Sequence, residues 1–467
     1  MKFGGLFTII VLVCLSIASA ADWPTYRGNA ERTGNIDGQP GPTKPRVIWS
    51  IKGADNFVGS PAVMEKVVGV AALGAFNSGR LVAFDPSADQ FTVKWKKEPP
   101  LLKLPVVSSP ICVGGTVVFG DGMHQTDGAA LRGVDAATGQ LLWQHSVPGN
   151  LVHMEGAALA SGERLYVGAG HAGVICLNPS RLTSMGAERS AAEIREMLAR
   201  QWQELLAKYE KEKKVDPDFA VPPSEDSLPK ATPQLVWQVG VNAWHVDAPL
   251  ALAGKQLLAA SAYLDVEKSG ERALVCLDAD SGDVQWKTPL ELNPWAGATV
   301  AGDLVILGCS NIRLDPKEIR RGRGQLVALN LSDGKVAWKK IVPGGIVSSV
   351  AVSDGLAIAC ATDGKVRAYD LAAKGNVRWT YDAEAPLFAG PAVVGKTAYV
   401  GDLKGVVHAV SLENGNRLWQ LDLKQAVGLK NPSIYGAPAV HGGRIYLGTC
   451  QLETAGAGEQ ALVCIGE

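Results

Sequence analysis

Two short segments carry acid–base chemistry: His153 with Glu155, and His245 with Asp247. Two imidazoles and two carboxylates that converge can move protons in a hydrolase or lyase, or hold a transition metal. The long stretch between the segments gives no metal-ligand spacing, so no metal is assigned from the sequence. The plainer expectation is that these groups bond backbone where chain segments meet. Aromatic residues stand at similar places: Phe57, Trp244, Trp295, Phe388 and Tyr435, with Val107, Met154 and Val347 in equivalent positions. One segment is basic, with Arg313, Lys317, Arg320, Arg321 and Arg323. It reads as a solvated loop or as a patch for an anionic ligand or protein. The sequence has no Gly-rich phosphate loop, no HExxH and no GxSxG elbow.

Each aromatic position comes just before a small-residue entry into an apolar run, and there are eight such entries: Gly59, Ser109, Gly156, Asp247, Gly297, Ser348, Gly390 and Gly436 begin them. A turn and a β-rich run follow each. A second pattern comes later in the unit: Asp or Asn, a polar turn ending in Gly, then Trp four residues on. It appears as Asp135, Gly139, Trp143; Asp278, Gly282, Trp286; and Asn330, Gly334, Trp338. Ser411, Gly415, Trp419 is a further copy; Asp370 to Trp379 is one residue longer, and Asp85 to Trp95 lacks the glycine. The Asp or Asn bonds turn N–H groups, and Gly supplies positive φ. The Trp falls on an outer strand, pointing into the gap between units. Burying its roughly 150–250 Å² contributes several kcal/mol at about 25 cal/mol/Å².

Four short strands repeated around a ring make a β-propeller. The expected fold is all-β, an eight-bladed propeller of four-stranded antiparallel blades. The outer-strand tryptophans are Trp49, Trp95, Trp143, Trp237, Trp286, Trp338, Trp379 and Trp419. The eighth entry has no Trp after it, and Trp49 has no inner strands before it. The N-terminal strand around Trp49 therefore completes the last blade and removes the open edges. The interval from Trp143 to Trp237 is about twice the usual one. Within it, residues 190–214 place Ile194, Met197, Leu198, Trp202, Leu205, Leu206 and Tyr209 at helical spacing. This predicts a helical insertion at 180–233, packed on the propeller side or offered to a partner.

The N-terminus has Lys2, an apolar run over 6–17 and Ala18-Ser19-Ala20, the pattern of a secretory leader cut after Ala20. The expected organisation is a leader at 1–20, an extension at 21–44 and the propeller at 45–467. An exported, periplasmic location follows, with no transmembrane span in the mature chain. Lys plus Arg total 45 against 46 Asp plus Glu, so no nucleic-acid partner is expected. A self-closing ring is expected to be a monomer. Seven cysteines remain after the leader, with no CxxC, mostly in strand-like apolar runs, and are read as buried small hydrophobes.

The copies with the turn glycine and the Trp four later resemble the docking motif of pyrroloquinoline-quinone-like (PQQ-like) propellers, whose opening Ala83-Phe-Asp85 and Ala328-Leu-Asn330 show most fully. So does the segment from Asp22 to Gly28, Asp-Trp-Pro-Thr-Tyr-Arg-Gly. The resemblance covers about 45–467. It implies one of two classes: quinoprotein dehydrogenases with PQQ and Ca²⁺ on the axis, or scaffolds such as the propeller subunit of the outer-membrane β-barrel assembly machinery. Many alcohol-oxidising members have an adjacent cysteine pair, which this chain lacks, and there is no haem-attachment CxxCH. The expectation is a non-catalytic exported scaffold for protein, peptide or glycan, with no cofactor. The alternative is a PQQ-dependent oxidoreductase. By strand order, the residues before the eight entries line one mouth of the channel.

Overall fold

The computed structural model describes residues 23–34, 40–64, 67–74, 77–86, 92–124, 126–313, 315–452 and 458–467. The expected leader and its cleavage after Ala20 lie outside them. Eight separate antiparallel sheets follow one another along the chain. Blades 1 and 2 are the strands within 62–97 and 111–147, blade 3 lies within 159–239, and blades 4 to 7 lie within 251–289, 298–342, 351–382 and 392–422. Blade 8 combines Ala439–His441, Arg444–Gly448 and Gln460–Gly466 with the N-terminal strand Arg46–Gly53, which pairs antiparallel with Gln460–Gly466. The ring closes as the tryptophan count predicts. Glu467 reinforces the closure by accepting from the Thr43 and Lys44 amides at 2.9 and 3.0 Å.

All eight tryptophans sit on fourth strands, and the two repeat motifs interlock. The indole N–H of Trp95, Trp286 and Trp379 donates to a carbonyl of the next blade, those of Ala136, Leu331 and Leu412, at 2.8–2.9 Å. Trp95 also covers the turn glycine of that blade. Gly139 has φ +74°, and a Cβ there would lie 2.6 Å from the Trp95 ring. Gly139 is thus required by backbone conformation and by space. The closing contacts differ: Trp419 donates to the Pro42 carbonyl at 2.8 Å, and Trp49 packs edge-on against Phe84 at 5.1 Å.

Blade 3 departs from the repeat. Its third strand runs on through Val174–Ser184 and turns back as Ala187–Arg189, so the sheet has five strands, and its fourth strand begins at Thr232. The insertion is therefore shorter at both ends than the expected 180–233. Its helix, α1 (Ala191–Val215), starts in a capping box between Ser190 and Glu193. The predicted apolar face turns inward: Ile194, Met197 and Leu198 are buried with Leu142, Trp143 and Leu182, and Trp202 and Leu205 pack beside them. No turn glycine of blade 3 packs against Trp143, and α1 with Ala231 covers it instead. Arg195 ties the helix to Asp135 of blade 2 at 2.7 Å.

The expected N-terminal extension does more than precede the ring. Residues 23–34 run along the innermost strands and pair with those of blades 1, 2, 4, 5, 6 and 7 in turn. Trp23 exchanges backbone hydrogen bonds with Val63, and Pro24 accepts from Cys112. Ala30, Glu31, Thr33 and Gly34 accept from Leu252, Val300, Val352 and Val393. Innermost strands have no further neighbour, so their axial amides need partners. Arg32, fully buried, donates to the carbonyls of Leu250 at 2.8 Å, Ala158 at 3.0 Å and Tyr26 at 2.6 Å. Arg27, also buried, donates to the Pro391 carbonyl.

The seven cysteines among the described residues are all buried, and burial pushes the Cys309 and Cys360 thiols up to about 12. No helix among the described residues is long and apolar enough to cross a membrane.

Candidate functional site

The residues before the eight entries come together, as the strand order predicts, around a cup of about 470 Å³ at one mouth of the channel. Every blade contributes a segment, from Val58–Ser60 of blade 1 to Tyr435–Ala437 of blade 8. Tyr26 of the axial segment also lines it. Trp295, Phe388, Tyr435, Glu155 and Asp247 line the cup as expected; Phe388 and Tyr435 meet edge to face at 5.4 Å. Phe57 and Trp244 do not. Phe57 is buried in the cluster joining blades 7, 8 and 1, and Trp244 in the one joining blades 3 and 4. Their large rings fill the blade junctions, which the linear pattern cannot distinguish from the mouth.

The two acid–base segments converge. Asp247 accepts from the imidazole Nε2 of His153 at 2.8 Å and of His245 at 2.9 Å, and from Arg313 Nη2 at 3.0 Å. Glu155 Oε1 stands 3.8 Å from His153 Nε2 and accepts the His124 amide at 2.5 Å. His153 and His245 are fully buried. The expectation that these groups bond backbone is met only in part, by Glu155, which accepts the His124 amide. Their side chains bond one another because four neighbouring loops bring them to one wall.

Burial acts to raise the Asp247 carboxyl, but the His245 and His153 imidazoles outweigh it and hold Asp247 well below the usual carboxylate range. Burial disfavours protonated His153, yet Asp247 and then Glu155 raise it above its ordinary value. Burial and the Asp247 charge raise Glu155. Asp247 is thus an ionised hub with three donors on it. A carboxylate held this low is a weak base and orients its partners rather than taking a proton.

Of the cations in the basic loop, Arg313 alone lines the cup, with Asp315 of the same loop beside it in the lining; its guanidinium stands 4.1 Å above the Trp295 ring. Arg320, Arg321 and Arg323 are exposed and do not line it, and Arg321 pairs with Glu318 at 3.1 Å.

Sequence reasoning missed three residues. His124 comes from the loop between the second and third strands of blade 2, His171 from that of blade 3 and Glu267 from that of blade 4. His124 lies 5.9 Å from His153 and 6.4 Å from His245 between ring centres, and His171 lies 5.0 Å from His245. Burial and then Arg313 lower His124; burial and then His245 lower His171. The available signal was that loops between second and third strands share the mouth's face, a rule that short loops obey as well as long ones.

The fold and cup define a PQQ-like eight-bladed propeller with an aromatic and histidine-rich mouth. The family described as outer membrane protein assembly factor BamB matches residues 42–204, 227–314 and 318–464. The chain belongs to that family. A relative of that name from Yersinia pestis is 30% identical over 162 residues, 32% of this chain and 39% of the relative. One from Burkholderia pseudomallei is 29% identical over 236 residues, 47% and 55% of the two chains. These matches therefore span about half the relatives' length or less. Among solved structures, BamB from Moraxella catarrhalis aligns at TM-score 0.56 and 15% identity, over 90% of this chain and 97% of that one. A europium-containing methanol dehydrogenase aligns at 0.62 and 15%, over 96% and 98%. At such identities the likeness is one of fold.

Proposed function

We propose that this protein is a non-catalytic, exported scaffold that binds protein partners in outer-membrane assembly, and that the cup with its basic loop takes an acidic, extended polypeptide segment. Membership of the BamB family supports the scaffold role and the exported location. The observation that carries the cup's part is the arrangement of Arg313. Its guanidinium covers Trp295 and bonds Asp247, while Arg320, Arg321 and Arg323 stand exposed outside it. A cup lined with aromatics, with a basic loop that reaches into it, suits side chains presented from an extended chain.

The same contact bears on the quinone alternative. A planar quinone needs an open aromatic face, and Arg313 occupies that of Trp295. The residues of this cup therefore fit PQQ poorly.

A photo-crosslinking side chain at Tyr435, introduced in cells, tests the proposal. It should yield an adduct with an outer-membrane assembly protein, and R320E/R321E/R323E should reduce that adduct at least tenfold. An adduct insensitive to the charge reversal would overturn the cup's role. Saturable, Ca²⁺-dependent binding of PQQ to the purified protein by calorimetry would overturn the non-catalytic reading.

A further inference from the structure

Three imidazoles from successive blades meet in the wall of the cup. His124, His153 and His245 each present a ring nitrogen, and the three nitrogens lie within 4.8 Å of one another. His153 and His245 are 0% exposed. The Nδ1 atoms of His153, His245 and His124 are all buried and have no hydrogen-bond partner. Three converging imidazoles, each with one ring nitrogen left without a hydrogen-bond partner, have lone pairs free for a ligand.

The surroundings fix the chemistry of that ligand. Asp247 accepts from Nε2 of His153 and of His245. With its proton on Nε2, a neutral imidazole carries its free lone pair on Nδ1. A carboxylate holding the far nitrogen of a histidine is the usual outer support of a metal-binding imidazole, because it sets the tautomer and the ring orientation. Nitrogen donors select borderline divalent ions over Ca²⁺ and Mg²⁺, which prefer oxygen. Zn–N bonds of about 2.0–2.1 Å place ligand nitrogens about 3.4 Å apart in a tetrahedron. The three rings therefore need to close by about an ångström. His124 lies in a loop at the cup's edge and is only partly buried, so it can supply that movement.

We propose that His124, His153 and His245 bind one borderline divalent cation, Zn²⁺ foremost, with Asp247 orienting two of the rings. The fourth position is left to solvent. This site goes beyond the scaffold reading, and either can stand without the other.

The test uses the full mature chain, stripped with a chelator and titrated with Zn²⁺ by calorimetry and with Co²⁺ by visible absorption. One ion per chain is expected, with micromolar or tighter affinity and a tetrahedral Co²⁺ spectrum. H124A should weaken binding by at least the roughly 10–100-fold that loss of an outer partner costs, and H441A, outside the cluster, should leave it unchanged. Electron paramagnetic resonance of Cu²⁺ in the unsubstituted protein counts the bound imidazoles without relying on any variant. Three coupled nitrogens support the site. No stoichiometric ion at about 100 μM metal, a Cu²⁺ signal without imidazole coupling, or unaltered affinity in natively folded H124A overturns it.

Discussion

Replacing Arg32 with Met should release the axial segment. The substitution keeps an apolar stem of similar length and removes every donor. Three carbonyls, those of Leu250, Ala158 and Tyr26, lose a charged partner. At roughly 1–3 kcal/mol for each buried group left unsatisfied, the loss is about 3–9 kcal/mol. Against this stands the cost of burying a charge. Burial, the largest influence, lowers the Arg32 guanidinium from 12.5 to about 10. At about 1.36 kcal/mol per unit, removing that charge returns about 3 kcal/mol. The net loss is centred near 3 kcal/mol, on the order of 100-fold in the equilibrium for opening the segment. Trypsin reads this directly, because Arg27 is 1% exposed in the closed state. Where opening is fast relative to cleavage, the rate follows the open population. Cleavage after Arg27 should rise about 100-fold in R32M, relative to cleavage after exposed Lys214. A rise of less than tenfold would refute the view that Arg32 locks the axis.

Gly139→Ala should destabilise the ring more than Gly115→Ala. Both positions have positive φ, but a Cβ at 139 meets the Trp95 ring while one at 115 meets nothing within 4 Å. Strain of about 1 kcal/mol is common to both, and a further roughly 1–3 kcal/mol of overpacking falls on 139 alone; comparing their thermal midpoints checks this. The anchor of α1 should weaken in acid. Burial acts to raise Asp135, but hydrogen bonds from Arg195 and Thr138 outweigh it and leave the carboxyl below its ordinary value. A depressed carboxyl gives stability that is complete above the unfolded value of about 3.9 and lost as pH falls below it. Amide exchange of α1 should therefore quicken below about pH 4, and D135N should be equally fast at pH 7.

Much of the ring was legible because its causes are local. The Asp-to-Gly turn and the Trp that follows are set within nine or ten residues, and repetition turned a weak motif into a strong one. Counting Trp49 against the unmatched entry at Gly436 gave the closure, since the last blade otherwise lacks its fourth strand. The helix over 190–214 was equally legible, because its apolar spacing is read within one segment.

The cup was legible only as a set of positions. Strand order puts Trp295, Phe388 and Tyr435 at the mouth, but it puts Phe57 and Trp244 there too. Packing decided that the latter two fill blade junctions. Asp247 as a hub for His153, His245 and Arg313 depends on three adjacent blades, and the approach of His124 on a fourth, so no spacing could announce it. The axial segment is the clearest case. Its sequence from Trp23 to Gly34 looks like a polar leader to the fold, and nothing local says where it lies. Only a closed ring creates a channel lined by innermost strands with unpaired amides and carbonyls, and only there are Arg32 and its neighbours worth burying. The sequence thus determined the repeated unit and its number, while the tertiary structure decided what the centre of the ring would hold.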